Sequence, residues 1–304
     1  MRRVPLALLV QAPLVSVAVL SAALAGHASH TVFNYQADRF ELLDLNGDVV
    51  GADDFDDGGI APWTIGSGTV VESGGFVTFS NPGRHRLYPD CSDVVLDESG
   101  IYAPNQGGIG AGPGFSVKNG VGDFVATTTW APVVPDLPGG YYASVLFYPT
   151  SPGSFEAVSL NIHNFDTAVA AAQAECFPGV AFPPGLAISQ GHNTGTLDAT
   201  GTNTGTTFLD LQNFLIQPSD VTGNILFRIQ FDDETDLVTT SFSLDGGTTF
   251  LFPFAPVPSS LGGFGNWALQ TDPLSLLPPC SDEVDNDGDG RIDVSDRAAA
   301  SLRA

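Results

Sequence analysis

Basic residues are scarce in this chain. Lys and Arg together number 10 among 304 residues, against 34 acids, and the net charge is −24. The acids are near their usual share, so the imbalance comes from missing bases. A chain without a basic patch cannot take nucleic-acid phosphates or an anionic membrane surface as its main partner. Lys and Met occur once each, against 21 Phe, 35 Gly and 22 Pro, a composition of many short strands joined by tight turns rather than of helices. Long apolar runs are missing after the first 25 residues, so no later segment reaches the ~20 apolar residues that a membrane span needs. Catalytic signatures are missing too: there is no Gly-x-Ser-x-Gly elbow, no His-Glu-x-x-His and no phosphate-cradling Gly-rich loop.

A hydrophobic content of 43% allows a well-buried core, and the length suits one large β-domain or two ordinary ones. Arg2 and Arg3 precede an apolar stretch from Val4 to Ala25, interrupted by Pro5, Gln11 and Pro13 and ending in Ala23-Leu24-Ala25 before Gly26. Small residues at these spacings are what a signal peptidase accepts, so residues 1–25 read as a cleaved signal and the protein as secreted or cell-surface. Loss of Arg2 and Arg3 leaves 8 of the 10 bases against all 34 acids. Export permits disulfides. Of Cys91, Cys176 and Cys280, the first two sit in loop-like contexts and are candidates for a bridge, with the pairing open.

Between about 53 and 272 the pattern is β-prone runs punctuated by Gly and Pro, that of an antiparallel two-sheet sandwich. Gly68–Ser73 and Phe76–Ser80 flank Gly74-Gly75 as a hairpin. Ile225–Phe231 and Leu237–Leu244 flank an acidic turn, and Asp245-Gly246-Gly247 turns again into an expected third strand, Thr248–Phe252. Further strands are expected at Phe124–Trp130, Tyr142–Tyr148, Phe155–Ile162, Leu186–Gln190, Phe208–Leu211 and Trp267–Gln270. Asp166 or Thr167 caps a short alanine-rich helix ending near Glu175, and Gly191–Thr207, poor in apolar residues, reads as a long mobile hairpin or loop. The chain thus divides into a signal (1–25), a lead segment (26–52), the sandwich (53–272), a stiff linker (273–279) and an acidic tail (280–304).

The segment Asp53-Asp-Phe-Asp-Asp-Gly-Gly-Ile-Ala-Pro-Trp63, followed by Ser67–Val71 and Gly74–Phe79, resembles the opening of concanavalin-A-like lectin/glucanase domains of secreted bacterial proteins. Phe227–Asp233 and Thr239–Phe250, with their Asp-Gly-Gly turn, resemble the late strands of that family. The resemblance implies an all-β jelly-roll, with Asp53, Asp54, Asp56 and Asp57 as one set of acids for a calcium site at its edge. The Glu-x-Asp-x-x-Glu pattern of the glucanase branch is not present, and the dense acids of Asp232–Asp236 have the wrong spacing and read as a solvated hairpin tip.

The histidines outside the processed end, His85, His163 and His192, have no partner at metal-ligand or triad spacing, and His163 reads as a polar residue at a strand edge. Tyr88, Tyr102, Trp130, Tyr141, Tyr142 and Tyr148 would stack on sugar rings if they faced outward, although core packing is the expected role of each; Trp63 and Trp267 stand in core-like contexts.

The most specific local pattern is Asp285-Asn-Asp-Gly-Asp-Gly-Arg-Ile-Asp-Val-Ser-Asp296. On the twelve-residue calcium loop, Asp285, Asp287 and Asp289 take positions 1, 3 and 5, Gly290 makes the turn, Arg291 offers its carbonyl at 7, and Asp293 and Asp296 fill 9 and 12. Five acids so spaced repel one another without a hard cation, and oxygen ligands favour Ca²⁺ over Zn²⁺. Asp in place of Glu at position 12 points to weak binding, on the order of 10⁻⁴ to 10⁻³ M. With Cys280-Ser-Asp282 before it, the tail resembles the calcium repeats of secreted bacterial proteins related to thrombospondin type 3 repeats. The second Cys that closes such units is missing from 297–304, so the resemblance leaves Cys280 without its usual partner. A shorter echo stands at Asp44-Leu-Asn-Gly-Asp48, with Val49 where the loop needs Gly.

Together these readings point to an exported, calcium-binding, lectin-like or surface-interaction protein that binds carbohydrate, such as a cell-surface polysaccharide, and does no chemistry. The alternatives are a glycan hydrolase or lyase with a non-standard carboxylate pair, and a structural cell-envelope component.

Overall fold

The computed structural model describes residues 33–44, 46–61, 63–67, 69–81, 85–87, 94–95, 99–102, 117–118, 123–135, 140–151, 153–176, 179–197, 203–259 and 264–276. The segment read as a signal, Tyr88, Cys91, Cys280 and the positions read as a calcium loop, Asp285, Asp287, Asp289, Arg291, Asp293 and Asp296, lie outside the described residues.

In chain order the elements are β1 (Phe33–Asp44), β2 (Val49–Asp53), β3 (Thr64–Ser67), β4 (Thr69–Glu72), β5 (Val77–Asn81), β6 (His85–Leu87), β7 (Val94–Val95), β8 (Ser99–Tyr102), β9 (Val117–Lys118), β10 (Phe124–Trp130), β11 (Gly140–Ser151), β12 (Ser154–Phe165), α1 (Thr167–Cys176), β13 (Gly185–Leu197), β14 (Asn203–Leu215), β15 (Ile225–Asp232), β16 (Leu237–Ser243), β17 (Val257–Pro258) and β18 (Phe264–Leu276). They form the expected two-sheet β-sandwich. One sheet runs β17-β16-β15-β10-β1-β5-β4, with β2 also on β1. The other runs β14-β13-β12-β11-β18 and continues through β6, β8 and β9 on the far side of β18. All pairs are antiparallel except β6 with β18. No helix among the described residues is long and apolar enough to cross a membrane.

The hairpin of β4 and β5 turns on Gly74 and Gly75, at φ 65° and 80°, a conformation that costs glycine little and other residues much. The capped helix is present as read: Asp166 Oδ1 accepts the Val169 N–H at 2.7 Å. Four expectations are corrected. The sandwich does not begin at 53, because β1 is an interior strand of the first sheet, held by β10 on one side and by β5 and β2 on the other. Its inward set, Tyr35, Ala37, Phe40 and Leu42, slips by one residue at a bulge between Ala37 and Arg39, which hides the period of two. Likewise β18 continues to Leu276, into the span read as linker. Gly191–Thr207 is largely strand: β13 and β14 carry the hairpin to Leu197 and from Asn203, held by backbone ladders rather than by apolar alternation. A Cβ at Gly191 would stand 2.7 Å from Ser159 Oγ, so a residue that weakens the sequence signal for a strand is the one that fits there. Finally, Thr248–Phe252 is no strand. Leu251 alone bridges back to Phe242, and β17 takes the place beside β16.

The core lies between the sheets and is aromatic. Trp130 and Tyr142 pack at 4.6 Å between ring centroids, Tyr35 and Tyr142 at 4.9 Å, and Phe40 meets Trp63 at 5.2 Å and Trp267 at 5.7 Å. Such pairs add roughly 0.5–1.5 kcal/mol each beyond the burial of their area. Two of their polar atoms find partners across the core: Tyr142 Oη donates to the Val133 carbonyl at 2.9 Å and Trp130 Nε1 to Ser144 Oγ at 3.2 Å.

The turn after β16 is packed against the chain entering β15. A Cβ at Gly223 would lie 2.8 Å from the Gly246 nitrogen and 2.9 Å from the Asp245 carbonyl carbon, both backbone atoms that cannot swing aside. Gly223→Ala is therefore expected to cost about 1–3 kcal/mol, read as a lowered urea midpoint with unchanged slope; an unchanged midpoint contradicts this packing.

Candidate ligand-binding site

β13 presents Leu186, Ile188, Gln190 and His192 in succession to the interior, since alternate residues share a face. The first two join the core. The next two begin a polar stripe that crosses three strands. Gln190 lies opposite Gln212 of β14, and His192 lies between Val158 of β12 and Asp210 of β14. Because Phe214, the register partner of Ile188, packs on Phe242, and Gln190 meets Thr240, the level of His192 corresponds to Val238, at the end of the first sheet. β13 runs five residues beyond His192, to Leu197, so the hairpin of β13 and β14 continues past that level by about 17 Å at ~3.3 Å per residue.

The stripe is tied to the loop after β16. The Thr240 hydroxyl donates to Gln190 Oε1 at 2.5 Å, and Gln190 Nε2 donates to the Ala255 carbonyl at 3.0 Å. The Ala255 N–H donates to Gln212 Oε1 at 2.8 Å, and Gln212 Nε2 to Asp210 Oδ2 at 2.6 Å. One loop residue thus clamps two glutamines, one with its backbone carbonyl and the other with its backbone N–H, which fixes both side-chain amides in known orientation. Deeper on the same face, His192 Nε2 stands 2.6 Å from Glu156 Oε1, with both residues buried. A carboxylate so placed is stabilised by the imidazole N–H, and removing either partner would strand the other. Outward the stripe opens: Asp210 is exposed, Gln212 is half-buried, and Phe252, three residues before Ala255, is 57% exposed. A carboxylate and an amide at the open end of the stripe are able to bind hydroxyl groups.

Of the aromatics proposed for stacking, Trp130 and Tyr142 are buried in the core, as are Trp63 and Trp267. Tyr141 is half-buried on the other face of its sheet. The side chains of Tyr102 and Tyr148 lie outside the described residues. The acids of 232–236 are exposed at a hairpin tip, with Asp232 Oδ1 accepting the Glu234 and Thr235 N–H groups at 2.9 and 3.1 Å. Asp53 does not face a cation: Phe55 N–H and Trp63 Nε1 occupy its two oxygens at 2.9 and 2.8 Å, and burial holds its pKa above the usual carboxylate range. Asp57 Oδ1 accepts the Gly59 N–H at 2.9 Å, and Asp44 Oδ1 the N–H groups of Asn46 and Asp48 at 2.8 and 2.9 Å, so these acids close their own turns. No group of three or more His, Cys, Asp or Glu among the described residues is placed to hold a metal ion.

The stripe was hidden in the sequence for two reasons. His192 and Glu156 are 36 residues apart, and β13 beyond Gln190 has the composition of a loop. The available signal was the period of two itself, Gln190-x-His192 and Asp210-x-Gln212, continuing the inward positions Leu186 and Ile188.

His163 is not at a strand edge. β12 is an interior strand, and His163 is buried on the face turned away from the core, stacked on Phe165 at 4.2 Å between centroids. Val169 and Ala170 of α1 and Phe182 pack with Phe165. His163 Nδ1 lies 3.2 Å from Asn161 Oδ1 and 3.4 Å from Ser189 Oγ, whose proton goes to Asn213 Oδ1 at 2.5 Å. The proton of the neutral ring is therefore assigned to Nδ1, and Nε2 is buried without a partner.

The chain matches no protein-family model and no curated protein. Among solved structures it is similar to the CBM2 module of an evolved Dit protein of Lactobacillus casei BL23 phage J-1, with TM-score 0.25 and 12% identity over 79% of this chain and 90% of that one. It is also similar to a lectin from Bauhinia forficata in complex with GalNAc, with TM-score 0.23 and 8% identity over 81% and 93%. At these scores nothing is carried from either protein to this chain.

Burial lowers the pKa of His163 to about 3. An unfolded chain therefore binds a proton near pH 6.5 that the folded one refuses until about pH 3, so this group's stabilising effect is complete above pH 6.5 and is lost as pH falls. His163→Asn is expected to flatten the fall in stability between pH 6.5 and 3 by up to about 5 kcal/mol, measured by urea titration at each pH. Parallel pH profiles for the two proteins would contradict the neutral, buried ring.

Proposed function

We propose that this is an exported carbohydrate-binding protein, lectin-like and without catalysis, whose ligand rests on the rim of the polar stripe. The observation that carries the reading is the clamp of Gln190 and Gln212 by the single residue Ala255, beside exposed Asp210. Through buried Gln190 and the Ala255 backbone it holds the Gln212 amide, and with it the Asp210 carboxylate, rigid at an open sheet end, and preorganised planar donors and acceptors are what vicinal hydroxyls of a sugar need. Phe252 supplies the apolar face for the ring. A glycosidase would need a pair of carboxyl groups able to give and take protons, one on each side of the bond. Glu156 is committed to His192, and Asp210 to Gln212, which favours binding over hydrolysis.

Calcium belongs to this proposal through the tail alone. Asp285, Asp287, Asp289, Asp293 and Asp296, with the Arg291 carbonyl, supply six oxygen ligands at the spacing that Ca²⁺ takes. Its binding there would order the tail and offset part of the chain's negative charge. Signal cleavage and a location outside the cell follow from the first 25 residues in the same way.

The test is binding of the purified protein to a panel of oligosaccharides, with calcium and again after chelation. A defined sugar is expected to bind, and Asp210→Ala and Gln212→Ala to weaken it more than tenfold, about 1.4 kcal/mol, without a shift in melting temperature. No binding in either condition, or equal binding by both variants, would overturn the assignment. Chelation is expected to lower the melting temperature; the same melt with and without calcium would remove calcium from the account.

A further inference from the structure

Arg228 lies on the opposite surface of the molecule's first sheet, and its surroundings are unusual for so acidic a chain. It stands on β15 with its side chain directed away from the core, since Ile225, Phe227, Ile229 and Phe231 take the inward positions. Its register neighbours are Thr127 on β10 and Ser241 on β16. The guanidinium carbon stacks 3.6 Å from the centroid of Phe250, which the Phe242–Leu251 bridge brings back over the sheet. In a protein with 34 acids and 10 bases a half-buried arginine should attract a carboxylate, yet none among the described residues lies within ion-pairing reach of it. Arg39, the other arginine whose side chain is described, is paired with Glu41.

The acids nearest in the fold are already engaged. Glu41 shares the row Ser241, Arg228, Thr127, Glu41 across four strands, but stands two strands away, about 10 Å, and is held by Arg39. Asp245 accepts the Ser243 hydroxyl at 2.7 Å and the Thr249 N–H at 2.9 Å, bonds that hold its carboxyl below the usual range. A second observation is independent of the charge. Ser241 is 1% exposed, and its Oγ has no hydrogen-bond partner; nor has the buried Nε of Arg228 beside it. A buried hydroxyl and a guanidinium N–H left without partners are each destabilising, a cost that an acceptor admitted to them by a small movement of the Phe250 ring would relieve.

We infer that Arg228, Ser241 and Phe250 form a second binding site, for a small oxyanion carried by a ligand, a carboxylate or a sulfate group. The stacked ring fixes the guanidinium plane and leaves its edge to face the anion, the geometry in which arginine binds oxyanions with two parallel N–H groups. Ser241 donates a third hydrogen bond. The site is separate from the polar stripe, on the other face of β15 and β16, and stands whether or not the stripe binds sugar.

The test is titration of the full-length protein, labelled with ¹⁵N, with sodium glucuronate, with sodium sulfate and with glucose, at constant ionic strength. The Nε–H signal of Arg228 is expected to move saturably with at least one of the two anions, at millimolar dissociation constants, and to ignore glucose. A response to glucuronate alone assigns a carboxylate, and one to sulfate alone a sulfate. Arg228→Gln should weaken binding more than tenfold, Arg228→Lys should restore part of it, and Ser241→Ala should weaken it several-fold. No saturable response of the wild-type signal to either anion at about 50 mM overturns the site, as does unchanged affinity in Ser241→Ala together with Arg228→Gln. Should Arg228→Gln fail to fold, the wild-type titration and Ser241→Ala decide alone.

Discussion

The chain has too few cations to neutralise its acids, and its structure is arranged around hydrogen bonds that take their place. Carboxylates accept from the N–H groups of their own turns: Asp44 between β1 and β2, Asp57 at Gly59, Asp166 at the start of α1, Asp232 at the hairpin of β15 and β16, Asp245 in the next turn. Longer reaches do the same work across the fold. Asp123 Oδ1 accepts the Asp233 N–H at 2.8 Å, and Glu72 Oε1 the Gly58 N–H at 2.8 Å. Each such bond satisfies a peptide group as well as a charge, and bonds to a charged acceptor are about twice as strong as neutral ones. The acids therefore define the turns, and the turns set where strands begin and end.

The same shortage shapes the surfaces that could bind. Without lysines and arginines to spare, the stripe on the second sheet is built of amides, a carboxylate and an imidazole already committed to Glu156. Amides and carboxylates suit a ligand rich in hydroxyls rather than phosphates. Arg228 is the exception. Without a carboxylate partner among the described residues and held by Phe250, it gives the opposite face a cationic group that the polar stripe does not have. Where acids do crowd together the strain shows: Asp54 raises the pKa of Asp56, and loss of hydration, with Asp57 beside it, raises that of Glu72.

How much could be read beforehand depended on how each strand is stabilised. β10 was legible to its last residue, because Phe124, Ala126, Thr128 and Trp130 alternate inward without a break. β1 was not, because a bulge at Asp38 shifts its inward set. The far halves of β13 and β14 were not, because the ladder of a long hairpin holds Gly, Asn and Thr in strand conformation, and only neighbouring chains reveal that. The third strand of the expected meander failed since Asp245 and Ser243 draw the backbone of the turn onto themselves. Glu156 and His192 meet through the register of β12 and β13, a quantity no local spacing contains. The calcium loop proposed at Asp285–Asp296 is the reverse case, a reading that rests on sequence alone, where ligand spacing is itself the signal.

If the acids are satisfied by hydrogen bonds and not by ion pairs, their mutual repulsion remains as a cost that mobile ions can screen, with a Debye length falling from about 30 Å at 0.01 M to about 3 Å at 1 M. The most direct measurement is the melting temperature of the calcium-free protein across that range of sodium chloride. The account predicts a rise with salt. A fall would mean that attractive ion pairs dominate the folded state, and would contradict it.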